Sequence, residues 1–182
     1  MPAMNPAPNL VLVGPMGAGK TSIGKRLAEH FALAFVDADR EIEAQAGASI
    51  ATIFDCEGEA GFRARERATL ARLLAGDGQV LATGGGAVLD GGTRALLRAR
   101  GFVVHLQVSV DGQLARLSRD RVRPLLQQGD REQVLHALAQ ARAPLYAEVA
   151  DLVFDTEGLA AGDAARALVA ALQGAWTRGA AA

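Results

Sequence analysis

The sequence predicts an α/β protein, a three-layer α/β/α domain built on a five-stranded parallel sheet. Short apolar runs alternate with longer amphipathic segments along the whole chain, as a parallel sheet flanked by helices requires. A glycine-rich loop follows the first apolar run and opens the first helical segment. The chain has 182 residues, 50% of them hydrophobic, which suffices for one compact domain with a sizeable core.

The elements follow in order from these patterns. The five strands are predicted to end near Val13, Val36, Ala82, Leu106 and Phe154. Helices are predicted over residues 21–31, 39–46, 50–74 with a break near Gly58, 93–100, 110–117, 131–149 and 163–173. No internal repeat or long linker divides the chain, so we expect a single domain over residues 1–182. Its Pro/Ala-rich start (1–8) and Gly/Ala-rich end (176–182) are predicted to be disordered.

The net charge bears on the class of binding partner, and the cysteine content bears on the cellular compartment. The net charge is −1 and no long basic block is present, so nucleic acid and membrane surfaces are not expected partners. A small-molecule substrate and a monomeric chain are expected instead. Cys56 is the only cysteine and cannot form an internal disulfide, and no signal peptide or apolar run of membrane-spanning length is visible. These features predict a cytoplasmic protein.

The glycine-rich loop from Gly14 to Thr21 has the spacing of a phosphate-binding loop. Backbone N–H groups in such a strand-to-helix turn wrap the phosphates of a nucleotide, and a turn that precedes Lys-Thr by chance is the alternative. The strand before the loop and the helix after it favour the phosphate loop. Lys20 would lie along the phosphates and the Thr21 hydroxyl would coordinate Mg²⁺. The nucleotide contacts predicted within this segment are Gly17, Ala18, Gly19, Lys20, Thr21 and Ser22.

Two carboxylates, Asp37 and Asp39, follow the second strand. Asp39 could be the N-cap of the next helix, or it could hold an acceptor hydroxyl beside the phosphate loop. The third strand lacks the acidic residue that often binds magnesium in such proteins, because it runs into Gly84, Gly85 and Gly86. Asp37 is the nearest substitute. Three successive glycines cost conformational entropy, so a sharp turn explains only part of them and close contact with a ligand is favoured.

Several arginines complete the candidate site. Arg63 and Glu66 are spaced i, i+3 on a predicted helix and should pair there. Arg142 lies on a later helix. A solvated basic face explains any single arginine, but several arginines beside a phosphate site favour anion binding. A cationic, mobile loop is predicted where four arginines precede Pro124: Arg116, Arg119, Arg121 and Arg123.

From about residue 9 to residue 172, the chain resembles the shikimate kinases, small P-loop enzymes of the nucleoside-monophosphate-kinase type. Beside the loop itself, the resemblance rests on Phe35-Val36-Asp37-Ala38-Asp39, Ser49-Ile50-Ala51-Thr52-Ile53-Phe54 with Gly58-Glu59, Phe62-Arg63-Ala64-Arg65-Glu66, Val80-Leu81-Ala82-Thr83-Gly84-Gly85-Gly86, Val122-Arg123-Pro124-Leu125-Leu126 and Arg142-Ala143-Pro144-Leu145-Tyr146. It implies transfer of the ATP γ-phosphoryl group to the 3-hydroxyl of shikimate, with Mg²⁺ as cofactor.

The resemblance also implies residue roles. Lys20, Asp39 and Arg123 would be catalytic, and Arg123, carried on a lid over residues 113–128, would also contact the nucleotide. Thr21, and Asp37 through water, would serve Mg²⁺, and Arg116 would stack on the nucleotide base. The shikimate contacts would be Asp39, Arg63, Glu66, Gly84, Gly85, Gly86 and Arg142.

One segment departs from the family pattern. The loop after the last strand, Asp155-Thr156-Glu157-Gly158-Leu159, lacks the Arg or Pro that members often bring to adenine. Two alternatives stay open: a kinase of this architecture that acts on another small hydroxylated acid such as gluconate, and a nucleotide-binding module without catalysis. The joint presence of Asp39 and Arg123 disfavours the second alternative.

Overall fold

A computed structural model of the chain describes residues 5–118 and 130–178. The strands in chain order are β1 (Asn5–Ala7), β2 (Asn9–Val13), β3 (Ala34–Asp37), β4 (Gln79–Ala82), β5 (Gly101–Gln107), β6 (Leu152–Asp155) and β7 (Trp176–Arg178). The α-helices are α1 (Lys20–Phe31), α2 (Ala38–Ala46), α3 (Ile50–Leu74), α4 (Gly91–Arg100), α5 (Val110–Leu117), α6 (Arg131–Val149) and α7 (Ala161–Gln173).

The predicted five-stranded parallel sheet is confirmed, with strand order β3-β4-β2-β5-β6. The predicted break inside α3 is present, because Gly58 has φ 70° and ψ −178° and leaves the helical conformation. Strand β2 lies at the centre of the sheet, and the loop after it therefore opens between β4 and β5. The loop thus lies at the carboxyl ends of the strands, which is the edge at which open parallel sheets bind ligands.

Two apolar layers, one on each face of the sheet, form the core. All five residues of β2 are buried, and their side chains alternate between the two layers. Leu10 and Leu12 pack on one face with residues of α1 and α7, such as Leu27 and Leu168. Val11 and Val13 belong to the other layer with residues of α3, α4 and α6. The three-layer arrangement predicted from the sequence follows from this alternation.

The prediction of disordered ends is wrong for residues 5–8 and 176–178. Strand β1 pairs in parallel with β7, and Asn5 lies opposite Trp176 in this small sheet. The Trp176 ring is 6% exposed, packs edge-on against Phe31 at 5.4 Å, and donates its indole N–H to the Ala7 carbonyl at 3.1 Å. Burial of one large aromatic ring orders both segments, although their local composition resembles that of flexible tails.

Replacing Trp176 with alanine should lower the free energy of unfolding by about 3–5 kcal/mol, because a large ring leaves a packed cluster. Urea denaturation followed by far-UV circular dichroism measures the effect. Replacement with phenylalanine keeps a ring but loses the hydrogen bond to Ala7, so it should lower the free energy of unfolding by less than the alanine change does. A loss below about 1 kcal/mol for the alanine variant would contradict the packing described here.

Candidate active site

The phosphate loop leads directly into α1. Gly19 precedes the helix with φ 90°, a left-handed conformation that glycine adopts without strain, and no side chain caps the helix there. The first N–H groups of α1 therefore remain available to an anion. The Lys20 ammonium donates to the carbonyls of Gly14 at 2.7 Å and Pro15 at 2.9 Å.

This loop forms one wall of a cavity of about 660 Å³. Six of the predicted nucleotide contacts line it: Gly17, Gly19, Lys20, Thr21, Ser22 and Arg116. Ala18 does not, because its side chain is buried in the core and its N–H donates to the Pro15 carbonyl at 3.2 Å. The arrangement suits an anionic group held at the helix start, with Lys20 beside it.

Asp37 connects the phosphate loop to the next helix. Its Oδ1 accepts from the N–H of Asp39 at 3.0 Å and of Arg40 at 3.4 Å, so Asp37 is the N-cap of α2. Its Oδ2 accepts from the Thr21 hydroxyl at 3.0 Å. The suggestion that Asp39 caps this helix is therefore wrong. Asp39 lies inside the first turn and lines the cavity.

The Thr21 and Asp37 oxygens are the kind of hard ligand that Mg²⁺ prefers. Their hydrogen bond shows that the two side chains already lie together at the start of α1. Within residues 5–118 and 130–178, no cluster of three or more His, Cys, Asp or Glu side chains could enclose a metal by itself. The residues thus fit an ion that keeps several waters and takes further ligands from a nucleotide.

The glycine turn after β4 leaves space for three functional side chains. A Cβ placed on Gly84 would lie 2.9 Å from Asp39 Oδ1 and 3.1 Å from Glu66 Oε2. A Cβ on Gly85 would lie 3.1 Å from Arg142 Nη1. The turn is therefore brought together with Asp39, Glu66 and Arg142 in a single cluster.

Gly86 completes the turn, because a Cβ there would overlap the Arg63 guanidinium at 2.4–2.6 Å. The predicted pair is present: Arg63 Nη1 donates to Glu66 Oε1 at 2.9 Å. Glu66 is 4% exposed, and burial raises the pKa of its carboxyl, an effect that Arg63 opposes and Asp39 reinforces. The Arg63 Nε and Glu66 Oε2 atoms are buried without a hydrogen-bond partner in the described part of the chain. Because buried polar atoms in proteins nearly always have a hydrogen-bond partner, these two atoms indicate a bound polar group.

Arg142 is the second arginine of this cluster. It is 5% exposed and forms no ion pair within 4 Å with a carboxylate of residues 5–118 and 130–178, although its charge lies close enough to lower the pKa of the Glu66 carboxyl. A buried guanidinium without a carboxylate partner is costly unless a ligand supplies one. Arg63 and Arg142 line the same cavity. Their two guanidinium groups can each form paired hydrogen bonds with one anionic ligand.

Arg116 lies at the opposite end of the phosphate loop, on α5. Its guanidinium donates to the Gly17 carbonyl at 2.9 Å, to the Thr156 hydroxyl at 3.0 Å and to the Thr156 carbonyl at 2.7 Å. It therefore ties the phosphate loop to the loop after β6. Thr156 carries no signal in the sequence and was not among the predicted site residues.

The first residues of the predicted lid (113–128) belong to a helix. Residues up to Leu117 belong to α5, and Gln113 is buried with its amide donating to the Met16 carbonyl at 2.8 Å. The remainder, with Arg119, Arg121 and Arg123, lies outside the described residues. The catalytic role of Arg123 stays a prediction.

An apolar wall, which was not among the predicted site residues, also lines the cavity. It consists of Ile50, Phe54 and Phe62, and the Arg63 guanidinium lies 5.2 Å from the Phe62 ring centroid. The two phenylalanine rings pack at 4.9 Å. The motif around residues 49–54 contained the signal, but its apolar residues resembled ordinary core positions. This part of the cavity therefore combines the guanidinium groups of Arg63 and Arg142 with an apolar face, which suits a small carbon ring bearing a carboxylate.

A family model described as "Shikimate kinase" matches residues 16–173. The chain belongs to the shikimate kinase family. It is 63% identical to a shikimate kinase of Stenotrophomonas maltophilia over 175 residues, which cover 96% of this chain and 97% of that protein. A shikimate kinase of Xanthomonas campestris is 57% identical over 173 residues, or 95% of this chain and 96% of the relative.

Solved structures agree with the assignment to the shikimate kinase family. A shikimate kinase from Acinetobacter baumannii in complex with shikimate superimposes with a TM-score of 0.89 at 47% identity, covering 92% of this chain and 94% of that one. A gluconokinase from Sinorhizobium meliloti shares the fold with a TM-score of 0.55 at 16% identity, covering 93% of this chain and 94% of that one. The resemblance inferred from the motifs is confirmed, and the chain is an ATP-dependent kinase.

Proposed function

We propose that the chain transfers the γ-phosphoryl group of ATP to the 3-hydroxyl of shikimate, giving shikimate 3-phosphate for aromatic amino-acid biosynthesis. The observation that carries this proposal is the buried Arg142, which forms no ion pair within 4 Å with a carboxylate in the described part of the chain and lines the same cavity as Arg63. The carboxylate of shikimate would supply the missing partner, and its ring would lie against the wall formed by Ile50, Phe54 and Phe62.

The reacting groups would be provided by three residues. Asp39 would hold the acceptor hydroxyl and accept its proton as the phosphoryl group moves. Lys20 would exchange its bonds to Gly14 and Pro15 for contacts with the phosphates, and Arg123 would stabilise the transferring group together with it. Glu66 would hold Arg63 in the orientation that binds carboxylate, and the Gly84–Gly86 backbone would contact substrate oxygens.

Thr21, and Asp37 through water, would hold Mg²⁺, which neutralises charge on the phosphates when bound. Arg116 would stack its planar guanidinium on the adenine ring, because three hydrogen bonds already fix its position beside Gly17. Of the predicted lid, residues 118–128, which follow α5, are retained as a proposed lid that excludes water.

We also propose that the enzyme is a cytoplasmic monomer. All groups assigned to shikimate come from one chain, so the site needs no second copy. No helix among residues 5–118 and 130–178 has the length and apolar character needed to cross a membrane. Size-exclusion chromatography with light scattering would measure the mass in solution.

An enzyme-coupled assay of ADP formation with ATP, Mg²⁺ and a panel of acceptors tests the function. Shikimate should be phosphorylated, whereas gluconate and buffer alone should give no turnover above background. A Lys20→Ala variant purified in the same way controls for contaminating kinases. Gluconate turnover comparable to that with shikimate would favour the alternative sugar-acid kinase, with which this chain shares the fold.

Replacing Gly86 with alanine should raise the KM for shikimate about tenfold or more, since the new Cβ displaces the Arg63 guanidinium. Gly86 has φ −96°, which alanine adopts freely, so the free energy of unfolding should change by less than about 1 kcal/mol. The KM for ATP should stay within about twofold of the parent value.

Gly101→Ala is the matched control for this variant. A Cβ there would lie 2.6 Å from Val11 Cγ2 and 3.1 Å from the Leu97 carbonyl inside the core. This variant should lose stability and keep its KM for shikimate. If Gly86→Ala instead unfolds easily while retaining its KM, the turn has a structural role only.

A further inference from the structure

Tyr146 connects the glycine turn to the helix that carries Arg142. It lies one helical turn after Arg142 on α6, is 4% exposed, and donates its hydroxyl to the Gly85 carbonyl at 2.6 Å. The short bond is part-buried, and a Gly85 carbonyl deprived of it would lose a well-placed hydrogen-bond partner.

Gly85 lies where the two halves of the site meet. A Cβ at this position would be 3.1 Å from Arg142 Nη1, 3.6 Å from the Met16 N atom and 3.7 Å from the Gly14 carbonyl oxygen. The residue is thus packed between the phosphate loop and the buried arginine. Any displacement of its peptide changes the space that Arg142 occupies.

Tyr146 is itself held firmly. Its ring stacks on His105 with 4.7 Å between centroids and 28° between planes. Burial raises the pKa of Tyr146 to about 12, so the phenol stays protonated and remains a donor. Burial, with a smaller effect from the Lys20 charge, lowers the pKa of His105, which keeps this neighbour neutral. The stacked Tyr146 and His105 rings are therefore both uncharged beside Arg142.

We infer that Tyr146 is a positioning residue for shikimate binding, which fixes the Gly85 peptide and thereby the Arg142 guanidinium in the orientation that grips carboxylate. This inference rests on the proposed function. The alternative is that Tyr146 only fills the core between β5 and α6, where its ring belongs to an apolar cluster. Loss of the hydroxyl alone should weaken shikimate binding in the first role and leave it unchanged in the second.

Tyr146→Phe removes the hydroxyl and keeps the ring and its stack. The KM for shikimate should rise about tenfold, while kcat and the KM for ATP change by less than about threefold. The stabilisation by saturating shikimate, measured as a shift in Tm, should shrink in parallel. Assays run well below the Tm of every variant separate this effect from unfolding.

Thr69→Val is the matched control, because it removes a buried hydroxyl that bonds Gln45 on α2, away from the cavity. It should lower Tm by an amount similar to Tyr146→Phe and leave the KM for shikimate unchanged. A second control combines Tyr146→Phe with Arg142→Lys. If Tyr146 acts through Arg142, the phenylalanine change should raise KM much less when the arginine has already been replaced.

An unchanged KM for Tyr146→Phe, or an equal effect of that change in the parent enzyme and in the Arg142→Lys variant, would overturn the inference. A parent enzyme that turns over ATP with an acceptor other than shikimate would instead contradict the proposed function. The same pair of variants would then be tested on that acceptor, so the two failures are distinguishable.

Discussion

Replacing Asp39 with asparagine should lower kcat for shikimate phosphorylation about a hundredfold or more, with little change in shikimate binding. The amide has nearly the same size as the carboxylate, so the space beside Gly84 stays filled. It cannot accept the proton of the acceptor hydroxyl, and the developing alkoxide would lose its base. Steady-state kinetics gives kcat, and isothermal titration gives the affinity for shikimate.

Asp55→Asn is the matched control for this experiment, since Asp55 lies exposed on α3 and does not line the cavity. It should keep the parent kcat. Asp39→Asn should also leave ATP affinity unchanged, because Asp39 is not among the phosphate contacts. Near-normal turnover would mean that Asp39 only shapes the site and that the acceptor proton leaves by another route.

The second large effect concerns Arg142. Replacement with lysine should raise the KM for shikimate about a hundredfold, because the ammonium retains the charge but cannot form two parallel bonds to a carboxylate. Lysine avoids the empty space that alanine would leave in a position only 5% exposed. The KM for ATP should change little, which kinetics at saturating shikimate would measure.

The control for the arginine change is Arg98→Lys on α4, an exposed position that does not line the cavity. It should behave like the parent enzyme. If Arg142→Lys binds shikimate normally, then charge alone suffices and the geometry of the guanidinium has no role. A loss of ATP affinity without a loss of shikimate affinity would mean that Arg142 serves the nucleotide rather than shikimate.

Local patterns made much of the fold and part of the site predictable. The buried strand β2 and the loop after it form one continuous segment, so spacing alone indicates their geometry. The bond between Arg63 and Glu66 follows from an i, i+3 spacing, and the break at Gly58 from one glycine inside a helical pattern. Each of these features depends on residues close together in the chain.

Contacts between distant segments were not predictable in this way. The bond from Tyr146 to Gly85 joins residues 61 positions apart, and the bond from Gln113 to Met16 joins residues 97 apart. The ordering of the chain ends depends on a contact across 169 positions, between Trp176 and Ala7. No periodicity records such pairs, because they arise only when the sheet has brought its strands together.

The two oxygens of Asp37 serve two helices at once. Oδ1 caps α2, whose first turn carries Asp39, while Oδ2 binds the Thr21 hydroxyl at the start of α1. The helix assigned to the donor phosphates and the helix assigned to the acceptor hydroxyl are therefore joined through a single carboxylate. With the roles proposed above, the fold itself would set the spacing between donor and acceptor before either substrate binds.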